Sequence, residues 1–367
     1  MARHVSSSLL NIMQHLTKNS MNRNFHQSSI KNGKALVYQN YGDPASVLNL
    51  IEKPDQKPGD NEVAVKWMLS PVNPADINLL QGKYPARVKP PTIGGNEGVG
   101  EIIEVGNNVK NLSVGDRVVP NENNVGTWNT HGLHNADHVL KIPQNLDIIA
   151  ASMFNVNPGT AYRMLKDFVD LKPGDVVIQN GANSAVGQFV IQLCKSWGYR
   201  SVNIVRDRPD IEKLRTYLTE MGATKVLVES ELRTTKLFEN KELPKPKLAL
   251  NCVCGKTTTE LIRHMDHGAT MVTYGAMSRE PLIVPASALI FKDVMMKGFW
   301  MTHWVKKFTD SQVRTDMIRD LTEMFNSKKL QVPANKIIPL SNYKEAMENT
   351  LKSDGMTNLK YILDLRC

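Results

Sequence analysis

The run Val176-Val177-Ile178-Gln179-Asn180-Gly181-Ala182-Asn183-Ser184-Ala185-Val186-Gly187 is followed, nineteen residues after Gly187, by Arg206-Asp207-Arg208. These residue types and spacings suit a dinucleotide. The apolar run has the length of a buried parallel strand, the small residues allow a tight turn, and Gln188 to Trp197 continues at helical spacing. A helix beginning there aims free N–H groups and its positive dipole end at a pyrophosphate. A second strand, Ser201 to Val205, ends in Arg206 and Arg208, where a site for an unphosphorylated ribose places an acid. Two guanidiniums suit a 2′-phosphate and predict NADPH. Asn183 and Ser184 stand where glycines are expected, and a strand, a small-residue turn and a helix also arise in ordinary α/β domains. The arginines at the expected distance favour the coenzyme.

Other chemistries find less support. Four cysteines, Cys194, Cys252, Cys254 and Cys367, are too few and scattered for a disulfide framework, which agrees with a reducing compartment. On a strand Leu248 to Val253, Cys252 and its neighbour Cys254 would share a face of an apolar core. His131, His134 and His138 flank a turn at Gly132 in a polar stretch and read as solvated or packed, so no metal is expected. No zinc-finger spacing, basic helix repeat or glycine-aromatic RNA motif points to nucleic acid. No apolar run approaches the eighteen or so residues of a transmembrane segment.

The first acidic residue is Asp43, and the preceding chain carries Arg3, Lys18, Arg23 and Lys31 among six serines. With Val5, Leu9, Ile12, Met13 and Leu16 at helical spacing, residues 1–32 have transit-peptide composition and predict a mitochondrial matrix address. The formal charge is +9, and the leader holds four of its cations and no acid, so +5 remains for the mature chain.

The 367 residues suffice for two domains. Lys34–Gln39, Val47–Ile51, Glu62–Leu69, Gly94–Val105 and Arg117–Pro120 read as strands of a β-rich first domain. From Asn155–Tyr162 the rhythm changes to alternating strand and helix: Val176–Gln179, Val186–Trp197, Ser201–Val205, Asp210–Met221, Lys225–Val228. That is the pattern of a doubly wound parallel sheet in an α/β protein. Leu248–Val253, Thr259–Met265 and Thr270–Tyr274 are expected to extend the sheet, and Val294–Phe299 to end it. An amphipathic helix over Asp310–Asn326 precedes Lys336–Leu340, Tyr343–Thr350 and Lys360–Leu365, which return to the first domain.

The chain resembles the zinc-free, quinone oxidoreductase-like medium-chain dehydrogenase/reductase superfamily, and within it the mitochondrial trans-2-enoyl-thioester reductases. The residues that carry this are Ser70-Pro71-Val72-Asn73-Pro74-Ala75-Asp76-Ile77-Asn78, Gln81-Gly82-Lys83-Tyr84-Pro85, Gly94-Gly95-Asn96-Glu97-Gly98-Val99-Gly100, Asn157-Pro158-Gly159-Thr160-Ala161-Tyr162-Arg163, Arg206-Asp207-Arg208-Pro209-Asp210-Ile211 and Gly298-Phe299-Trp300-Met301. The resemblance implies a GroES-like catalytic domain over 33–160, completed by 309–367, and a Rossmann NADPH-binding domain over 161–308, commonly in a homodimer. It also implies reduction of enoyl-CoA or enoyl-acyl carrier protein, with Tyr84 donating a proton or stabilising an enolate. Superfamily members that use zinc hold it through cysteines of the first domain, and here none precedes Cys194.

The coenzyme is then expected against Asn157, Asn183, Ser184, Ala185, Val186, Arg206, Asp207, Arg208, Tyr274, Gly275, Ala276, Met277, Phe299, Trp300, Met301 and Lys360. In this reading the arginines and Lys360 meet phosphate, and Trp300 walls an acyl slot. Asn73, Asn78 and Thr160 support the site. The Asn183-Ser184 turn matches the reductase branch. The rival readings are an NADPH quinone oxidoreductase and a non-catalytic NADPH-responsive regulatory protein.

Overall fold

The computed structural model describes residues 32–85, 88–351 and 359–366. The expected leader, apart from Asn32, and Cys367 lie outside them. The strands are β1 (Asn32–Tyr38), β2 (Leu48–Pro54), β3 (Glu62–Pro71), β4 (Thr92–Ile93), β5 (Val99–Val105), β6 (Arg117–Pro120), β7 (His131–Asn135), β8 (Val139–Lys141), β9 (Val176–Asn180), β10 (Arg200–Val205), β11 (Lys225–Val228), β12 (Leu248–Asn251), β13 (Thr270–Thr273), β14 (Met295–Gly298), β15 (Asn335–Pro339) and β16 (Lys360–Asp364). The helices that bear on the site are α1 (Pro74–Leu80), α2 (Asn157–Lys166), α3 (Ala185–Trp197), α4 (Ala286–Lys292) and α5 (Met301–Lys307).

Two sheets build the β-rich half. A small one runs β2-β1-β4, and a larger, mostly antiparallel one runs β15-β16-β3-β5-β6-β8, with β7 also on β3. The C-terminal strands β15 and β16 thus return to this half, β16 pairing antiparallel with β3. Trp67 and Trp128 fill its core at zero exposure.

The second half is one parallel sheet in the order β11-β10-β9-β12-β13-β14. Val176, Val177 and Ile178 of β9 are wholly buried, each contributing about 1.5–3 kcal/mol relative to exposure. Burial on both faces explains why this strand reads as a continuous apolar run and does not alternate. Numbered from β9, the strand order is 3-2-1-4-5-6, so the winding direction reverses between β9 and β12. In such sheets ligands lie outside the carboxyl ends of the strands at that reversal. The halves share a hydrophobic cluster that includes Leu69, Val99, Val177, Phe189, Met317 and Ile362.

Two expected elements differ. Of Thr259–Met265, all but the C-cap Met265 belongs to the helix Lys256–His264, and the segment adds nothing to the sheet. The strand expected to reach Val253 stops at Asn251, and Cys254 takes a left-handed φ of 69°, so Cys252 and Cys254 do not share a strand face. Side-chain bonds account for the break: the backbone N–H of Cys252 turns to Asn180 Oδ1 at 2.8 Å and that of Cys254 to Asn251 Oδ1 at 3.1 Å. No helix among the described residues is long and apolar enough to cross a membrane.

Candidate active site

Because all six strands of the second sheet are parallel, their carboxyl ends open on one edge. The segments after β9, β10, β13 and β14 are 181–186, 206–208, 274–277 and 299–301, and together they contain most of the expected coenzyme residues.

The first turn is shaped by two glycines. Gly181 has φ +60°, and a Cβ on it would stand 2.5 Å from Cys252 Sγ; a Cβ on Gly187 would stand 2.5 Å from the carbonyl oxygen of Ala182. Only hydrogen fits at Gly187, which lets α3 press against the turn. Ser184 caps that helix, its hydroxyl accepting from the Gly187 N–H at 3.1 Å. The side chain of Gln188 bonds the carbonyl oxygen of Asn183 at 2.9 Å and fixes the loop from behind. The N–H groups of Ala185 and Val186 open the helix, where no intrahelical acceptor exists, and so face the position a pyrophosphate needs.

At the end of β10 the side chains of Arg206 and Arg208 come close enough that, after burial, the charge of Arg206 lowers the pKa of Arg208. Two cations held near one another gain from an anion between them. The Asp207 carboxylate accepts from Ser230 Oγ at 2.7 Å. At the end of β13 the phenol of Tyr274 lies beside Cys252 and Ser184, and burial raises it well above its ordinary pKa. Its hydrogen bonds to Cys252 and Ser184 act on that pKa in opposite directions, the first raising and the second lowering it.

The segment after β14 meets the other half. Phe299 packs edge-on against Phe168, with centroids 6.0 Å apart. Met301 is buried, and its methyl fills the space left by the missing side chain of Gly159 on α2. Trp300 remains 41% exposed and donates from Nε1 to the Tyr84 hydroxyl oxygen at 2.8 Å, the rings meeting edge to face. Thr302 bonds the same hydroxyl. Burial raises the Tyr84 phenol above its ordinary pKa, with the charge of Asp76 adding to the rise, while the bonds from Trp300 and Thr302 act the other way. At neutral pH the group is protonated, and with its oxygen already accepting, its own proton is available to donate.

Asn157 and Lys360 lie in a second cluster. Lys360 is 7% exposed and donates to Asn73 Oδ1. Asn157 Nδ2 donates to the same oxygen at 3.3 Å, while Asn73 Nδ2 donates to Glu97 Oε2 at 2.8 Å and the Val156 N–H to Glu97 Oε1 at 2.8 Å. Asp76 accepts from the Asn73 N–H at 2.7 Å and from Asn96 Nδ2 at 2.6 Å. Burial lowers Lys360 and raises Asp76, and pushes Glu97 up to about 7. The amine of Lys360 is therefore engaged with Asn73 within the β-rich half. Thr160 sits on α2 beside Asn157, and Asn78 closes the turn before Tyr84 through its carbonyl, which accepts from the Lys83 N–H at 2.9 Å.

Three residues had no expected role: Glu97, Asp76 and Thr302. For Glu97 a signal existed, because a carboxylate between glycines in Gly94-Gly95-Asn96-Glu97-Gly98 has little side-chain bulk to hold it in water. The histidines go to separate partners. His134 accepts from Trp67 Nε1 at 3.1 Å, and burial lowers it to about 4, while His131 pairs with Asp55 and His138 with Glu122.

Two family models match the chain: the alcohol dehydrogenase GroES-like domain over residues 59–144 and the zinc-binding dehydrogenase over 185–323. The donors do not fit the zinc in the second description. Cys194 and Cys252 are buried thiols whose pKa burial raises, and among the described residues no three His, Cys, Asp or Glu gather to hold a metal. A mitochondrial enoyl-[acyl-carrier-protein] reductase of Xenopus tropicalis is 45% identical over 322 residues, spanning 86% of this chain and 91% of that protein. The Etr1p/NADP/crotonyl-CoA complex superposes with a TM-score of 0.84 at 34% identity, covering 91% of this chain and all of that one. The mitochondrial 2-enoyl thioester reductase Etr1p/Etr2p heterodimer from Candida tropicalis gives a TM-score of 0.83 at 33% identity, with the same coverage.

Proposed function

Since the chain belongs to the medium-chain dehydrogenase/reductase superfamily, in its branch of mitochondrial enoyl-[acyl-carrier-protein] reductases, we propose that it reduces trans-2-enoyl thioesters to saturated acyl thioesters with NADPH. This is the last reductive step of mitochondrial fatty acid synthesis. The thioester carrier is coenzyme A or acyl carrier protein, both of which present the enoyl group on a phosphopantetheine arm.

Bound in the crevice, NADPH supplies the hydride that adds at the β-carbon. The N–H groups of Ala185 and Val186 would hold its pyrophosphate and Arg206 with Arg208 its 2′-phosphate. Tyr274–Met277, Phe299–Met301 and Asn157, steadied by Lys360, would line the remaining length. The chain must then supply a proton at the α-carbon or a hydrogen bond to the developing enolate oxygen, and in this reading Tyr84 does one or the other. The observation that carries this reading is the bond from Trp300 Nε1 to Tyr84 Oη, which leaves the phenolic proton as the donor in the cleft. The test is NADPH oxidation by residues 33–367 given a medium-chain trans-2-enoyl-CoA, with NADH and a simple quinone in parallel. Enoyl-dependent turnover with NADPH is expected; quinone turnover without enoyl turnover would replace the reading.

A homodimer is part of the same proposal. Among the described residues β14 pairs only with β13, and beside this open edge α4 presents Leu289, Ile290 and Phe291, the last 75% exposed. An unpaired edge next to apolar surface is satisfied by a second copy across a two-fold axis. Phe291→Glu should shift the sedimenting species from dimer to monomer, and an unchanged mass would place the interface elsewhere.

A further inference from the structure

The cluster around Glu97 contains a chain of hydrogen-bond directions that ends at a coenzyme residue. Lys360 is only a donor, so the Asn73 atom facing it is the amide oxygen. The Asn73 nitrogen then faces Glu97, whose other oxygen accepts from the Val156 N–H. When Glu97 is ionised both its oxygens accept, and turning Asn73 over would set its amide oxygen against that carboxylate and its NH₂ against the Lys360 donor. Asn73 Oδ1 in turn attracts Asn157 Nδ2, so the Asn157 carbonyl oxygen is held on the far side of its amide. These residues come from three separate elements: Asn73 caps α1, Asn157 opens α2, and Lys360 begins β16. Glu97 lies in the segment between β4 and β5 and touches the chain again at Val156, one residue before Asn157.

We propose that Glu97 is a positioning residue for NADPH: through Asn73 it sets which face of the Asn157 amide is offered to the coenzyme. The inference rests on the reading that Asn157 touches NADPH. Its chemistry is that of an ionised carboxylate, accepting at both oxygens, that imposes direction on two amides in series. Glu97→Gln keeps the shape but must turn the introduced NH₂ toward either the Asn73 NH₂ or the Val156 N–H, leaving a buried donor without an acceptor. Asn73→Asp keeps the acceptor for Lys360 and Asn157 but sets a second carboxylate against Glu97. Combined, the two changes restore every bond, with the polarity of the middle one reversed. The introduced glutamine donates its NH₂ to the introduced aspartate and accepts from the Val156 N–H on its oxygen, while the aspartate still accepts from Lys360 and Asn157.

The experiment measures NADPH dissociation constants by fluorescence, and thermal unfolding without coenzyme, for Glu97→Gln, Asn73→Asp, the double variant and Asn157→Ala. Each single change in the relay is expected to weaken NADPH about tenfold or more, and the double variant to recover most of that loss. A double variant that folds or binds no better than the singles overturns the proposal. So does a double variant whose melting temperature recovers while its NADPH affinity does not, since Glu97 would then only support the fold. Asn157→Ala separates the two levels. If it binds NADPH like the parent protein, the coenzyme contact itself fails and the proposal with it. If it binds weakly while Glu97→Gln does not, only the proposal fails.

Discussion

Tyr84→Phe is expected to lower kcat for enoyl thioester reduction by about 10²–10⁴-fold, the usual contribution of a positioned general acid, with the NADPH dissociation constant nearly unchanged. The change removes one oxygen. It takes away both the proton that the cleft offers and the acceptor for Trp300 Nε1 and Thr302, while the ring that packs edge-on against Trp300 remains. The loss should therefore appear in turnover and not in coenzyme binding. Single-turnover kinetics with prebound NADPH check this directly. A variant that retains parental kcat would remove Tyr84 from the chemistry, and one that loses NADPH affinity in proportion would make it a binding residue.

The second large effect concerns coenzyme choice. Arg206→Ala should raise the KM for NADPH by about 10–100-fold, corresponding to one or two charge-assisted hydrogen bonds to phosphate. The KM for the enoyl thioester and the weak use of NADH should change little, because neither requires a group at the 2′-position. The neighbouring charge that lowers Arg208 predicts the direction of coupling: without Arg206, Arg208 loses a repulsive neighbour along with its partner in binding. Equal increases in KM for NADPH and for the thioester would remove the phosphate assignment.

The coenzyme half was legible because its signals are local. Strand β9, the capped start of α3 and the arginines after β10 are set by residues within one βαβ unit, and burial on both faces leaves an apolar run that cannot be mistaken. Thr259–Met265 misled because Thr258 and Thr259 are β-branched, while the helix is decided by the buried stripe of Thr258, Leu261 and Ile262 against the sheet. The strand ending at Asn251 was hidden for another reason. Asn180 sends its side chain across to the Asn251 side chain at 2.7 Å and captures the next N–H groups, a competition between side chain and ladder that periodicity does not register. For Lys360 the resemblance pointed to the coenzyme, but its bond to Asn73, 287 residues away in sequence, becomes visible only once β16 is laid against β3. The same long range concealed Glu97, whose contacts with Asn73 and Val156 join segments that share no local pattern.

The bond between Trp300 and Tyr84 has a consequence for timing. One partner follows the last strand of the coenzyme sheet, the other belongs to the β-rich half, and they are 216 residues apart in the chain. A movement that parted the two halves at this point would break that bond, so that opening of the cleft and release of the directed proton donor would be a single event.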